Sequence, residues 1–259
     1  MSKCYIIVIM ISIVILTKNN QRTIYKVLDS TKSFSEVILL DTGSVDNTLE
    51  IASSFSNVKI FKKDFSGFGK TRNQASTLAA NDWVLALDSD EVLSDKLIDE
   101  IKHLKLQNDT VYSFPFINYY NNKQINFCGW QNEKHIRLYN KNITSFTTSL
   151  VHEAVISSNC KIENLKSPIY HYSYHQIEDF LRKMQTYSTY FAQQNHNKKK
   201  SSLFIAIYHA LGSFIKSYII KKGFLGGQEG FVISVYNANT AFYKYLKLSE
   251  INKKEPPCS

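Results

Sequence analysis

The hydrophobic positions change their period along the chain, and the change marks where one kind of architecture gives way to another. Over the first hundred residues, short apolar runs alternate with amphipathic ones. Residues 11–16, 36–40, 58–61 and 83–87 are short, largely apolar runs rich in Ile, Val and Leu, the pattern of buried strands. Between and after them, residues 22–31, 46–55, 69–80 and 94–104 carry apolar side chains at helical spacing. Ile24, Val27 and Leu28 mark the first of these, Leu49, Ile51 and Ala52 the second, and Leu97, Ile101 and Leu104 the fourth, where Ser94 is placed to cap the helix start. Strands alternating with helices of this length predict right-handed βαβ units and a mostly parallel sheet flanked by helices.

After Leu104 the rhythm changes. Residues 110–118, 123–127, 135–139 and 150–156 read as strands, with Asn121-Asn122 as a turn, so a more antiparallel section is added to the sheet. From His175 to about Leu248 the spacing is helical. It is interrupted at 195–202 and again by Gly223, Gly226, Gly227 and Gly230, where a tight connection is expected. The expected organisation is an α/β domain over residues 1–173, with halves at about 10–105 and 106–173, followed by a helical region over 174–259.

Composition narrows this only a little. At 259 residues, with 44% hydrophobic and 20% charged content, the chain reads as folded rather than disordered. Its formal net charge of +9 suits nucleotides, nucleic acid or anionic lipid headgroups without choosing among them. Cys4, Cys128, Cys160 and Cys258 stand far apart with no CxxC pair, which speaks against a zinc site or a disulfide framework and reads as reduced thiols in a cytoplasm. The apolar run 5–16 is about a dozen residues, short of the ~20 that span a bilayer. No small-residue cleavage site follows it, so it reads as a buried strand, with Met10 as an alternative start.

The long apolar stretch 203–220 approaches the length of a membrane span. Yet His209, Ser213, Lys216 and Ser217 recur opposite Phe204, Ile207, Leu211, Phe214, Ile215 and Tyr218, and lysines at 198–200 and 221–222 bracket it. Two uses are open for such an amphipathic helix, lying on an anionic leaflet or covering the catalytic domain, and they are compatible on different faces.

In an open parallel sheet, ligands bind outside the carboxyl ends of the strands. The first predicted strand ends in Thr17-Lys18-Asn19-Asn20, the second in Asp41 and the fourth in Asp88. Each aspartate alone is as readily a helix cap or a turn residue; their repetition at equivalent strand ends points to one shared crevice. Asp88-Ser89-Asp90-Glu91 clusters carboxylates at the exit of a buried strand, where they repel unless a cation or hydrogen-bond donors satisfy them. Mg²⁺ and Mn²⁺ bind such oxygens, through one or two carboxylates plus substrate phosphates. Arg72, near the start of the third predicted helix, is either an anion-binding group or a solvated basic first turn. No G-x-G-x-x-G follows the first strand, which argues against a dinucleotide-binding domain.

These residues together resemble the family 2 glycosyltransferases, which have the GT-A fold. The likeness is nearest to the bacterial lipopolysaccharide core glucosyltransferase branch. It is carried by residues 13–19, Asp41-Thr42-Gly43-Ser44-Val45-Asp46-Asn47-Thr48, Gly67-Phe68-Gly69 with Arg72-Asn73, residues 83–91, Gly129-Trp130, Arg137-Leu138-Tyr139, Val151-His152-Glu153 and His171-Tyr172-Ser173-Tyr174. The resemblance implies a GT-A, Rossmann-like, mixed and mostly parallel sheet with a C-terminal helical extension. It makes 10–105 the nucleotide-sugar half and 106–173 the acceptor half, and implies Mg²⁺ or Mn²⁺ as cofactor. Thr17, Asn19, Asp41, Arg72, Asp88 and Ser89 would then bind the donor and Asp90 the metal, while Trp130 and Arg137 would bind the acceptor. Asn20 stands where relatives often carry glutamate, and Val45 where they often carry threonine.

A sugar hydroxyl needs a base to become a good nucleophile. The family's acidic base falls on Glu153, whose alternative is a strand-end carboxylate paired with Arg137 or a lysine. His152 orients Glu153, takes the base role itself, or packs; the sequence leaves all three open. Trp130 is an acceptor wall or a core tryptophan.

The resemblance implies an inverting transfer of a hexose, with UDP-glucose as donor, to a lipopolysaccharide or lipooligosaccharide core. The expected partners are the nucleotide-sugar, the lipid-linked glycan and an anionic membrane surface, with no nucleic acid. The expected location is cytoplasmic, peripheral on the inner face of the bacterial cytoplasmic membrane. The competing readings are a nucleotidyltransferase-like enzyme on a similar sheet and an inactive membrane-associated relative.

Overall fold

The computed structural model describes residues 9–148 and 153–254. They form β1 (Ile9–Thr17), α1 (Ile24–Ser30), β2 (Phe34–Asp41), α2 (Thr48–Ser53), β3 (Val58–Lys62), α3 (Phe68–Thr77), β4 (Trp83–Asp88), β5 (Glu91–Leu93) and α4 (Asp95–Lys102). There follow β6 (Thr110–Tyr120), β7 (Lys123–Ile125), β8 (Lys134–Asn140), β9 (Lys161–Asn164), β10 (Ile169–Tyr174), α5 (Ile177–Asn195), α6 (Leu203–Ile215) and α7 (Gly227–Lys254). Strand order is β3-β2-β1-β4-β8-β6-β10-β5, with β7 and β9 each pairing β6. β3, β2, β1 and β4 run parallel, whereas β8 runs antiparallel to both β4 and β6. This is the mixed, mostly parallel α/β sheet that the hydrophobic pattern predicts.

The described residues divide into two units. The first takes in residues up to Ile117 together with Asn132–Tyr172, and the second takes in Asn118–Gln131 and the chain from Ser173 on.

In the first unit both faces of the sheet are covered, which is why its central strands read as largely apolar runs. Ile11, Ile13 and Ile15 of β1 point to a core with Ile24, Val27 and Leu28 of α1 and Leu97 and Ile101 of α4. Val14 and Leu16 point the other way, against Ala75 of α3, Ala79 and Tyr139. Ser94 caps α4 as its position predicts, its Oγ accepting from the Leu97 N–H at 3.2 Å.

The register of β1 sets the site. Leu16 pairs with Leu40 of β2 and with Asp88 of β4, and Thr17 pairs with Asp41, so the polar strand ends lie level along one edge.

Of the predicted strand 150–156, residues 150–152 lie outside the described residues, and the rest is not a strand. Among the described residues of 150–156, Val155 makes only an isolated bridge to Phe146. Three short strands, β5, β9 and β10, form where no strand was expected.

In the second unit, β7 pairs antiparallel with residues 118–120 of β6. Phe127, Cys128, Tyr174, Phe180 and Ile233 form an apolar core. A capping box opens α5, with the Gln176 and Asp179 side chains each bonding the other's backbone. The glycine-rich connection is tight as expected. A Cβ on Gly230 would lie 1.8 Å from the Gly223 carbonyl oxygen, and one on Gly226 would lie 2.3 Å from the Phe127 ring.

Candidate active site

The loops leaving β1 and β2 are laced together by short polar side chains. Asn19, at φ +53°, accepts from the Val45 N–H at 2.8 Å and donates its own N–H to Ser44 Oγ at 2.9 Å. Asp41 is buried and accepts from the Gly43 and Ser44 N–H groups at 3.2 and 3.1 Å. Asp46 accepts from Gln21 N–H at 3.2 Å and Thr48 N–H at 3.0 Å. The Thr17 hydroxyl, buried at the end of β1, has no hydrogen-bond partner among the described residues. An unpaired buried hydroxyl costs about 1–3 kcal/mol.

Both departures from the family pattern have a local account. Asn20 donates to Ser89 Oγ at 2.6 Å and accepts from Thr23 Oγ1 at 2.9 Å, so a neutral amide does the bracing there. Val45 is 90% exposed and packs against nothing that would require a hydroxyl.

The acidic turn after β4 is held from two sides by arginines. Arg72, only 1% exposed, bonds Asp88 through Nη2, the Leu87 carbonyl through Nη1 at 3.4 Å and Glu153 Oε1 through Nε at 3.4 Å. β8 runs antiparallel to β4, so Arg137, one residue before Leu138, reaches the same end of the sheet. Its Nη2 contacts Asp88 Oδ2 at 3.1 Å and also Glu91 Oε1. Glu91 is fully buried and accepts the Asp88 N–H through Oε2 at 2.9 Å.

Burial works against ionising Asp88, but the Arg72 and Arg137 guanidinium groups outweigh it and hold the carboxyl well below the usual range. At Glu91 burial dominates, and with the Asp88 charge beside it outweighs Arg137, so its carboxyl is pushed up to about 7.

The sequence readings for Arg72 were an anion site or a solvated first turn. Its burial excludes the solvated turn. Arg72 instead bridges two carboxylates, those of Asp88 and Glu153.

Glu153 is placed by α3. Asn73 donates from Nδ2 to the Phe146 carbonyl and accepts the Phe146 N–H at Oδ1, both at 2.9 Å. Thr147 and Ala154 then bond each other, with Thr147 N–H to the Ala154 carbonyl at 2.9 Å and Ala154 N–H to Thr147 Oγ1 at 3.2 Å. The approach to α3 is close at Gly69, where a Cβ would sit 1.8 Å from the Thr147 carbonyl oxygen and 3.3 Å from Glu153 Cβ. Asn73→Ala leaves both backbone groups of Phe146 unpaired. It is expected to cost about 1–3 kcal/mol in denaturant unfolding. Through the displaced carboxylate it should lower kcat by about tenfold to a hundredfold, with donor KM little changed in steady-state kinetics.

Asp90 is partly exposed, with His171 Nε2 at 3.5 Å from Oδ1. Among the described residues no group of three or more His, Cys, Asp or Glu side chains is gathered around one point. Asp90 with His171 therefore fits a divalent cation only if substrate phosphate oxygens complete the ligand set, as is usual for Mg²⁺.

Thr17, Asn19, Asp41, Arg72, Asp88, Ser89, Asp90, Arg137 and Glu153 all belong to the first unit. His152 lies outside the described residues. Trp130 belongs to the second unit, where it stacks on Tyr174 at 5.2 Å and on Phe180 at 6.3 Å. Glu91, Asn73 and His171 were given no role from the sequence. The signal for Glu91 was an acid directly beside the Asp88-Ser89-Asp90 turn.

The sequence model of glycosyl transferase family 2 matches residues 12–157. An uncharacterized glycosyltransferase of Rickettsia typhi is 32% identical over 258 residues, covering 94% of this chain and 88% of its own. Among solved structures, S. aureus TarS in complex with UDP-GlcNAc is similar at 16% identity and a TM-score of 0.45, over 94% of this chain and 91% of that one. Glucosyl-3-phosphoglycerate synthase from Mycobacterium tuberculosis, solved with Mn²⁺, UDP and phosphoglyceric acid, matches 42% of this chain and 43% of its own, at 23% identity and a TM-score of 0.35.

Proposed function

The chain belongs to glycosyl transferase family 2, and from that premise we propose that it is an inverting, divalent-cation-dependent hexosyltransferase acting on a lipid-linked core oligosaccharide. The observation that carries the reading is the single buried guanidinium of Arg72, which joins Asp88 at the level strand ends to Glu153.

In this reading the nucleotide part of a UDP-hexose lies along Thr17, Asn19 and Asp41, with the unpaired Thr17 hydroxyl as one of its partners. Asp88 and Ser89 face the ribose and sugar. Asp90, with His171 beside it, would hold Mg²⁺ or Mn²⁺, whose charge when bound offsets that of the departing diphosphate. Glu153 takes the proton from the acceptor hydroxyl as that oxygen forms its bond to the anomeric carbon. The bond from that carbon to the diphosphate oxygen breaks with its electron pair leaving on UDP, so the configuration inverts. Arg72 holds the base and the donor-side carboxylate in a fixed relation, which is the positioning such a reaction needs.

Glucose and the lipopolysaccharide or lipooligosaccharide core follow from the branch the sequence resembles; Arg137, expected to bind the acceptor, instead holds Asp88 and Glu91. The test titrates UDP, UDP-glucose, GDP-mannose and ADP-heptose against the protein with and without Mn²⁺, by calorimetry and thermal shift. Mn²⁺-dependent stabilisation by UDP and UDP-glucose, and by neither of the others, is the expected result. At a hundredfold excess over Kd it amounts to about 2.7 kcal/mol. Stabilisation by none of them would sink the donor assignment.

A further inference from the structure

The helix over Leu203–Ile220 turns His209 and Ser217 of its polar stripe inward, while Lys216 is exposed. Its α-helical part, α6, passes without a break into a π-helical turn over Lys216–Ile220. Amphipathicity in a water-soluble protein puts apolar side chains against the core and polar ones outside. Here His209 lies flat on Tyr245 of α7, rings 3.8 Å apart, and Ser217, buried, accepts from the Asn237 amide of α7 at 3.0 Å. Phe214 and Tyr218 pack on Phe231 of α7, but a further apolar stripe on the opposite face is bare. Phe204, Tyr208, Leu211 and Ile215 follow one stripe and are 83, 75, 61 and 52% exposed. Further along the chain, Ile220 and Leu225 are 66 and 69% exposed. Contiguous exposed apolar surface on this scale marks an interaction site.

Charge identifies the occupant. From Phe180 to Gln228 the chain has no Asp or Glu, and it has eight Lys or Arg. Lys198, Lys199 and Lys200 precede the helix, Lys221 and Lys222 follow it, and all five are exposed. Lys199 and Lys200 share an open cleft with Phe204 and Tyr208, so a positive wall adjoins an apolar one. A second copy of this face would bring lysines against lysines. A peptide groove would not need cationic ends on both sides of an apolar stripe. An anionic bilayer surface matches both, with headgroups over the lysines and acyl chains under the stripe.

The stretch is 18 residues long with a mean hydropathy of 1.5. It packs along α7, which carries Lys244, Lys247 and Glu250, so it does not enter the hydrocarbon alone.

We infer that this face of the second unit docks on anionic phospholipid, the helix lying in the plane of the leaflet. The experiment floats the full chain with vesicles of phosphatidylcholine alone or of equal parts phosphatidylcholine and phosphatidylglycerol. Binding to the anionic vesicles, weakened by salt and absent with the neutral ones, is expected. Lys199→Ala and Lys200→Ala should each weaken it roughly fivefold, and Phe204→Ser with Leu211→Ser by roughly tenfold or more. Circular dichroism and the UDP thermal shift of these variants should match the parent, since none of the four residues belongs to the catalytic unit.

Vesicle binding indifferent to all four substitutions would overturn the docking face. So would protein that stays with the vesicles through alkaline carbonate, which would mean a span. Failure to bind vesicles, with a dimer by light scattering that the Phe204→Ser and Leu211→Ser changes dissolve, would reassign the face to self-association. None of these readouts requires turnover, so they stand or fall apart from the glycosyltransferase reading.

Discussion

Replacing Glu153 by glutamine is expected to lower hexose transfer by about 10²- to 10⁴-fold, the usual worth of a general base. The substitution is nearly isosteric, and its amide oxygen still accepts from Arg72 Nε, now 3.4 Å from Oε1. The Asn73–Phe146 pair that fixes the segment is untouched. UDP-glucose binding in the presence of Mn²⁺ should therefore stay within a fewfold of the parent, while kcat falls. Single-turnover kinetics beside a thermal shift separates the two. A Glu153→Gln enzyme with near-parent kcat would remove Glu153 as the base and turn attention to His152.

Asp90→Ala should act on the other side of the reaction. Asp90 is a partly exposed carboxylate that no arginine holds among the described contacts, whereas Asp88 is held by two arginines and Glu91 is fully buried. Its main-chain carbonyl, which accepts the Tyr172 N–H at 2.9 Å, survives the change, so the turn keeps its anchor. The expected loss is the difference between donor binding with and without Mn²⁺. In kcat/KM it should reach about 10³-fold, corresponding to the several kcal/mol that a cation contributes at a developing phosphate charge. Residual metal-dependent binding of parent strength would place the cation elsewhere.

The parallel half of the sheet was legible because burial on both faces leaves no choice of residue type: Ile13-Val14-Ile15 and Leu85-Ala86-Leu87 are apolar at every position. The level strand ends followed from the same runs, since Thr17, Asp41 and Asp88 each come where a run stops. What could not be read is what tertiary contacts decide. β9 has four exposed residues, Lys161–Asn164, and exists only because it pairs with β6. β10 is Ile169–Tyr174, where His171 and Ser173 break the apolar run, and it is a strand because it lies between β6 and β5.

The site divides in the same way. Asp88, Asp90 and Glu153 could be picked out by residue type and motif. The roles of Arg72 and Asn73 depend on a segment more than seventy residues away, and spacing does not carry that. The polar stripe of 203–220 was visible as periodicity, but which stripe faces α7 was not.

β6 begins among the residues of one unit and ends among those of the other, and the chain returns at Asn132 before leaving for good at Ser173. The excursion 118–131 is held by groups far downstream: Asn121 N–H bonds the Tyr174 carbonyl at 2.9 Å, Cys128 N–H bonds that of Lys221 at 2.9 Å, and Phe127 fills the space that Gly226 leaves. The C-terminal helices are thus not a detachable tail. A gene split or fused near residue 173 would strand a hairpin without its hydrophobic partners. Recombination between relatives would have to exchange both pieces at once, so whatever these helices recognise is inherited together with the loop they grip.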